Sequence, residues 1–95
     1  MSNTTEKNGY IVVVEERKAG GAYVEIKNRF FLHFRHAYHY LQTCAEVFLD
    51  DEANNLFITS EMKKELDHGY PITFSDPRTG PYLITIKTAS VYEQI

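Results

Sequence analysis

The chain has 95 residues, of which 43% are hydrophobic and 24% charged, and its formal net charge at pH 7 is −3. This composition is typical of one soluble globular domain, and no apolar run approaches the ~20 residues that a membrane-spanning helix needs. The mild negative charge argues against sequence-independent nucleic-acid binding, which depends on clustered Lys and Arg. Cys44 is the single cysteine, which excludes an internal disulfide and suits a reducing compartment, so we expect a cytoplasmic protein.

The first part of the chain predicts a polar tail followed by two strands. The segment MSNTTEKNG has no hydrophobic stretch of the kind found in secretory signal peptides. We predict that residues 1–9 form a flexible tail and that residues 10–95 form a single domain. The run YIVVVEER from Tyr10 is rich in β-branched residues, which predicts a strand at the centre of its sheet. The alternating run AYVEIK, residues 22–27, predicts the second strand.

The register of this first hairpin has three solutions. A two-residue turn at residues 20–21 places Val24 opposite Arg17. A longer loop instead aligns Val24 with Val14, and a bulge near residues 15–16 reconciles the two patterns. The sequence does not choose among these three.

The longest predicted element is a helix over residues 29–49, with Asn28 as its N-cap. Apolar side chains recur there at spacings of three and four, the pattern of one helical face packed on a core; they are Phe31, Phe34, Tyr38, Leu41, Ala45 and Phe48. We therefore expect Phe34, Leu41 and Phe48 in the core. Cys44 flanks this face and is expected to be a buried structural thiol.

The second part of the chain predicts a short helix and a second hairpin. Thr59 or Ser60 caps the helix, and Gly69 ends it. Residues 70–74 and 82–88 alternate in polarity around a turn at residues 75–80, and the last residues add a turn or extend the strand. The order β-β-α-α-β-β predicts an α+β fold: a four-stranded antiparallel sheet with the long helix packed on one face and one short helix.

Two segments contain residue types that bind metal ions. His33, His36 and His39 are spaced by three, so successive side chains rotate by roughly 60° and cannot all converge on one ion; His39 with Glu46 is the best pair. Residues 50–61 place oxygen-bearing side chains as in part of an EF-hand calcium loop. Position 6 of that loop is Asn55 rather than Gly, and there is no second loop. We expect no bound metal and no cofactor.

Two further classes of site are disfavoured. An RNA-stacking platform on the outer face of the sheet would use exposed tyrosines and lysines, the candidates being Tyr10, Tyr23, Tyr82, Lys27 and Lys87. The element order differs from that of the common RNA-binding sheet domains, and several glutamates lie nearby, so nucleic-acid binding is not expected. For catalysis, Cys44 has no base on its own helix, and neither Ser60 nor Ser75 lies in a nucleophile-elbow pattern.

By elimination, the sequence favours a small non-catalytic protein that binds a larger protein as an inhibitor, antagonist or adaptor. Phage and other mobile elements often encode proteins of this class. The alternative is a small-ligand or metal-binding domain, with its site at the histidines of the long helix or at residues 50–61. A third interpretation is an enzyme assembled at a subunit interface.

The outward face of the long helix is the predicted partner-binding site. Leu32, Tyr40 and Val47 interrupt an otherwise polar stripe, and tyrosine is favoured at interfaces. The predicted contact residues are His36, His39, Tyr40, Thr43 and Val47. The same face can join two copies of the chain through antiparallel helices, because a two-fold axis uses one patch twice. Contact between like imidazoles is expected to weaken as the pH falls from about 7.5 to 5.5.

Overall fold

The computed structural model describes residues 4–49, 56–75 and 80–94. Its elements follow the predicted order and are β1 (Thr4–Arg17), β2 (Tyr23–Phe31), α1 (Phe34–Phe48), α2 (Ser60–Asp67), β3 (Ile72–Ser75) and β4 (Tyr82–Gln94). The strands form one antiparallel sheet in the order β2-β1-β4-β3. The α+β prediction is therefore confirmed, and the apolar strand β1 lies at the centre beside β4, as its composition indicated.

The first hairpin adopts the bulged register. Glu15 lies opposite Glu25, whereas Val14 lies opposite Lys27, so Ile26 is the extra residue of a β-bulge. The loop is longer than a two-residue turn: the Lys18 amide donates to the Ala22 carbonyl at 2.8 Å, and the Gly21 amide donates to the Lys18 carbonyl at 2.8 Å. Gly21 has φ 87°, which a glycine adopts without strain.

The predicted start of the long helix, at residue 29, is wrong. Residues 29–31 complete β2 opposite residues 10–12 of β1, because strand pairing provides their backbone with more hydrogen bonds than a fraying first helical turn would. Asn28 is thus a strand residue, whose side chain donates to Glu25 Oε2 at 2.9 Å. The helix begins at Phe34 after His33, which makes no side-chain capping hydrogen bond.

The flexible tail predicted for residues 1–9 is also replaced by structure from residue 4 onward. β1 starts at Thr4 and pairs with β4 from Thr4 opposite Gln94 to Glu16 opposite Tyr82. Residues 4–9 and 89–94 therefore form a two-stranded extension, the β-ribbon, which continues beyond β2 and β3. Its strands are far apart in sequence, so local polarity gave no indication of their pairing.

The core lies between α1 and one face of the sheet. Leu41 is fully buried over a floor of fully buried strand residues, which are Val12, Val14, Ile84 and Ile86. Phe34 and Phe48 are partly buried and pack against this cluster, and Cys44 is buried as predicted. Burial of large apolar side chains is the main force that holds such a small domain together.

The short helix α2 adds Leu66 to this core, where it is fully buried. Its N-cap is Thr59, whose hydroxyl accepts a hydrogen bond from the Met62 amide at 3.2 Å, and the chain leaves the helix at Gly69 with φ 99°. The predicted turn at residues 75–80 falls mainly on residues 76–79, which lie outside the described residues. Within the described part of the chain, no helix is long and apolar enough to cross a membrane.

Candidate partner-binding surface

Four of the five predicted contact residues form one stripe along α1. His36, Tyr40, Thr43 and Val47 are separated by four, three and four positions, so they lie on the same side of the helix. The Tyr40 ring shows which element this side faces, because its centroid lies 5.3 Å from that of Phe31 in β2. The stripe therefore follows the boundary between α1 and the edge strand β2. The fifth residue, His39, lies on the adjoining outward side of the helix.

Exposure along the stripe is uneven. Val47 is 70% exposed, and His36, His39 and Thr43 are also exposed, with the Thr43 hydroxyl donating to the His39 carbonyl at 3.1 Å. Tyr40 is different, because it is partly buried against the core. The interpretation of Tyr40 as a solvent-facing interruption of the stripe is therefore wrong: its ring joins α1 to β2.

Arg29 and Lys27 bring positive charge to this boundary from β2. The Arg29 guanidinium lies 5.3 Å from the centroid of the Phe31 ring and 5.6 Å from that of Tyr40, within the range of a cation–π interaction. Burial raises the pKa of Tyr40, with Cys44 acting in the same direction and Arg29 opposing it. Burial likewise raises the pKa of the Cys44 thiol, and the opposing effects of Tyr40 and Lys27 are smaller. Cys44 therefore stays a protonated thiol, which is a poor nucleophile.

The far end of the same boundary is apolar. Val24 in β2 lies opposite Glu16, which lies opposite Tyr82 in β4, and the Tyr82 ring is 4.9 Å from that of Phe48 in the last turn of α1. Val24 thus lies at the end of the sheet over which α1 ends, and Val47 is in the last turn of α1. Val24 is 45% exposed. From His36 to Val47 this boundary extends about 16 Å along the helix.

We call this region the α1–β2 surface. It consists of exposed residues along one helix–strand boundary and the partly buried Tyr40; its members are His36, Tyr40, Thr43, Val47, Val24, Lys27 and Arg29. Sequence reasoning found the helical residues but missed those from β2. One sequence feature indicated them: residues 26–45 contain no Asp or Glu but include Lys27, Arg29 and Arg35. Arg35 lies on the other side of α1 and is not part of this surface.

The alternative sites of the sequence analysis are not assembled in the described residues. The His33 and His36 rings meet edge to face at 5.7 Å, but no group of three or more His, Cys, Asp or Glu in the described part of the chain is placed to hold a metal. The predicted calcium loop depends on residues 50–55, which lie outside the described residues. The tyrosines of the disfavoured RNA platform do not share one outer face, because Tyr10 and Tyr82 pack under α1 against Phe34 and Phe48.

A separate cleft of about 570 Å³ lies at the base of the β-ribbon. Its lining includes Tyr10, whose hydroxyl donates to Asp67 Oδ1 of α2 at 2.8 Å. Asp67 also accepts from Lys63 Nζ at 2.5 Å, so its carboxylate is already paired. None of the five predicted contact residues lines this cleft.

Comparisons of the chain with protein-family models, with curated proteins and with solved structures find no match. The functional argument therefore depends on the chemistry of the surfaces. The α1–β2 surface combines fixed positive charge, one imidazole, two hydroxyl groups and two exposed valines on two packed elements. These groups provide what a protein-binding patch uses: apolar contact, hydrogen bonds and charge.

Proposed function

We propose that this chain is a small non-catalytic binding protein, which occupies a surface of a larger protein through the α1–β2 surface and acts as an inhibitor, antagonist or adaptor. The observation that supports this proposal is the 70% exposure of Val47 on a packed helix, together with the exposure of Val24 on the edge strand β2 at the same end of the sheet. Two exposed valines on rigid elements offer apolar area that a partner can bury without first ordering a loop.

The surrounding residues fit the same role. Interfaces usually combine apolar or aromatic contacts with polar groups around them; here Thr43 lies one turn before Val47 on α1, and His36 lies at the other end of the stripe. Tyr40 supports the surface from beneath because its ring contacts both Phe31 and Arg29. The surface is therefore preorganised by contacts within the fold.

The test is affinity capture from a lysate of the source cells, comparing the parent chain with Val47→Glu. Val47 is largely exposed, so its replacement should leave the fold intact but place a charge in the interface. Tyr70→Glu is the matched control, because Tyr70 is 66% exposed and lies after α2, away from the α1–β2 surface. We expect Val47→Glu to lose the captured protein and Tyr70→Glu to keep it. Retention by both variants would contradict the proposal.

Self-association through the same surface is the second candidate. The stripe on α1 can be used twice across a two-fold axis, and Val47 would then be buried against the second copy of the chain. Light scattering over a concentration series measures this directly. If the parent has the mass of a dimer, Val47→Glu has that of a monomer and Tyr70→Glu remains a dimer, the partner is a second copy of the chain.

A further inference from the structure

We propose that the partner segment bound by the α1–β2 surface is an acidic protein segment, in which carboxylate side chains lie next to at least one apolar residue. This inference depends on the proposed function and adds the chemistry of the partner. Its carboxylates would contact Lys27 and Arg29, and its apolar residue would contact Val24 and Val47, within the roughly 16 Å that the surface extends along α1.

The first support is that the two cations of the surface form no salt bridge with any side chain in the described part of the chain. Two other cations are paired, Lys18 with Glu16 and Lys63 with Asp67, but several exposed cations of the described part of the chain also form no salt bridge. Lys27 and Arg29 differ from those in position, because they lie opposite Val14 and Val12, on the face of the edge strand β2 that packs towards α1.

The second support is the geometry of Arg29. Its guanidinium lies over the Phe31 and Tyr40 rings, and contact with two aromatic rings limits the orientations of the side chain. The N–H groups of this guanidinium meet no carboxylate in the described part of the chain, and a guanidinium matches the two oxygens of a carboxylate. Arg29 is therefore partly ordered in advance for an acidic ligand, which lowers the entropy lost on binding.

The third support is the scarcity of acids around Lys27 and Arg29 on this boundary. Residues 26–45, which include the second half of β2 and most of α1, contain no Asp or Glu. Two acids lie nearer the Val24 and Val47 end: Glu46 follows Thr43 by one helical turn, and Glu16, opposite Val24, is paired with Lys18. An incoming carboxylate would consequently meet positive or neutral groups at Lys27 and Arg29 rather than at the far end of the boundary.

A protein segment is favoured over a nucleic acid. Nucleic-acid binding depends on neutralising many phosphates, whereas this surface has two fixed cations in a chain of net charge −3. The exposed Val24 and Val47 suit an apolar side chain better than a sugar–phosphate backbone.

The experiment selects random dodecapeptides for binding to the full chain and then measures the affinity of the selected peptides. We expect them to be enriched in Asp and Glu beside Leu, Ile, Val or Phe. The affinity of the selected peptides should be about tenfold or more lower for the double variant Lys27→Glu with Arg29→Glu than for the parent. Their affinity for the parent should also fall as the salt concentration rises from about 50 to about 500 mM. The milder Lys27→Gln with Arg29→Gln variant, checked for folding by circular dichroism, should show a smaller loss of the same kind.

The matched control is Lys64→Glu with Lys87→Glu, which changes the charge equally at exposed positions on α2 and β4. The peptide affinity of this control should stay within about twofold of that of the parent, since distant exposed charges are largely screened. Equal losses in the control, or selected peptides that lack acids, would overturn the inference. Tighter binding of an oligothymidylate of about 20 nucleotides would overturn it in favour of nucleic acid.

The two proposals fail in different ways. If the selected peptides are neutral or basic but lose binding with Val47→Glu, the α1–β2 surface is a binding site and only its acidic ligand is wrong. If acidic peptides bind and neither Val47→Glu nor Lys27→Glu with Arg29→Glu reduces their affinity, they bind elsewhere, and both proposals fail.

Discussion

Two cations, Lys63 and Arg29, occupy similar positions on opposite sides of α1, and they differ in one respect. Lys63 Nζ lies 5.0 Å from the centroid of the Phe34 ring and 5.6 Å from that of Tyr10. Arg29 lies at 5.3 and 5.6 Å from its two rings. Lys63 is also paired with a carboxylate, that of Asp67, whereas Arg29 has no carboxylate partner in the described part of the chain.

The difference indicates what each cluster does. The Lys63 cluster is closed, because its charge is balanced within the fold and its contacts join α2 to β1 and α1. The Arg29 cluster has the same aromatic support but an unbalanced charge at an edge strand. A cation without an internal partner contributes little to folding and remains available to another molecule, so we interpret the first cluster as structural and the second as functional.

The largest expected loss of stability comes from the core beneath α1, on which both clusters depend. Leu41 is fully buried between them, and Leu41→Ala should lower the free energy of unfolding by about 2–5 kcal/mol, because it leaves a cavity in the core. Chemical denaturation measures the loss. Val47→Ala is the control, since an exposed side chain of the same helix should change stability by about 0.5 kcal/mol or less. If Leu41→Ala is as stable as the control, the packing of α1 described above is wrong.

The next-largest loss of stability is expected at Gly9, which packs closely against the end of β2 beside the Arg29 cluster. A Cβ at this position would lie 2.2 Å from the Phe31 carbonyl oxygen and 2.8 Å from the Phe30 ring, and Phe31 is one of the two rings under Arg29. Gly9→Ala should cost about 1–3 kcal/mol, because the end of β2 must move. Gly20→Ala is the control, as a Cβ there meets nothing within 4 Å. Equal stability of the two variants would show that β2 does not pass so close to Gly9.

The sequence predicted the parts of the fold that depend on local periodicity. The apolar spacing of α1 identified Leu41 as core, and the run at residues 11–14 indicated a central strand. Thr59 was one of two candidate caps for α2, and it is the residue that accepts from the Met62 amide. In each case neighbours within a few residues carry the information.

The parts that the sequence did not predict depend on distant partners. Residues 4–9 look like a polar tail, but they pair with residues 89–94 at the other end of the chain. Residues 29–31 fit a helical spacing as well as a strand, and pairing with β1 decides between the two. The candidate site shows the same division: the α1 stripe was predicted, but a helical periodicity cannot show that β2 brings Arg29 to Tyr40.

A smaller effect distinguishes the two cations directly. Lys63→Met leaves the Asp67 carboxylate without its cation, and Arg29→Met leaves no acid behind. We expect Lys63→Met to lower the melting temperature by more than Arg29→Met does. Its loss in the free energy of unfolding should be no more than about 1 kcal/mol, because the pair is exposed. Binding of acidic peptides should show the opposite order, with Arg29→Met losing affinity and Lys63→Met keeping it. If both variants lose affinity equally, the two clusters do not differ in function.

The smallest effect is a pH dependence of the Lys63 cluster. The hydrogen bond from Lys63, and then that from Tyr10, lowers the pKa of Asp67 from its ordinary value of 3.8. A carboxyl group whose pKa is lower in the folded state stabilises the fold above its unfolded-state pKa, and the contribution disappears as the pH falls through the lowered folded-state value. The parent should thus have a higher melting temperature than Asp67→Asn at pH 7, and this difference should disappear below about pH 3.8. Thermal melts of both proteins from neutral to acidic pH measure the difference. A difference that stays constant across this range would mean that Asp67 stabilises the fold through hydrogen bonds that do not depend on its charge.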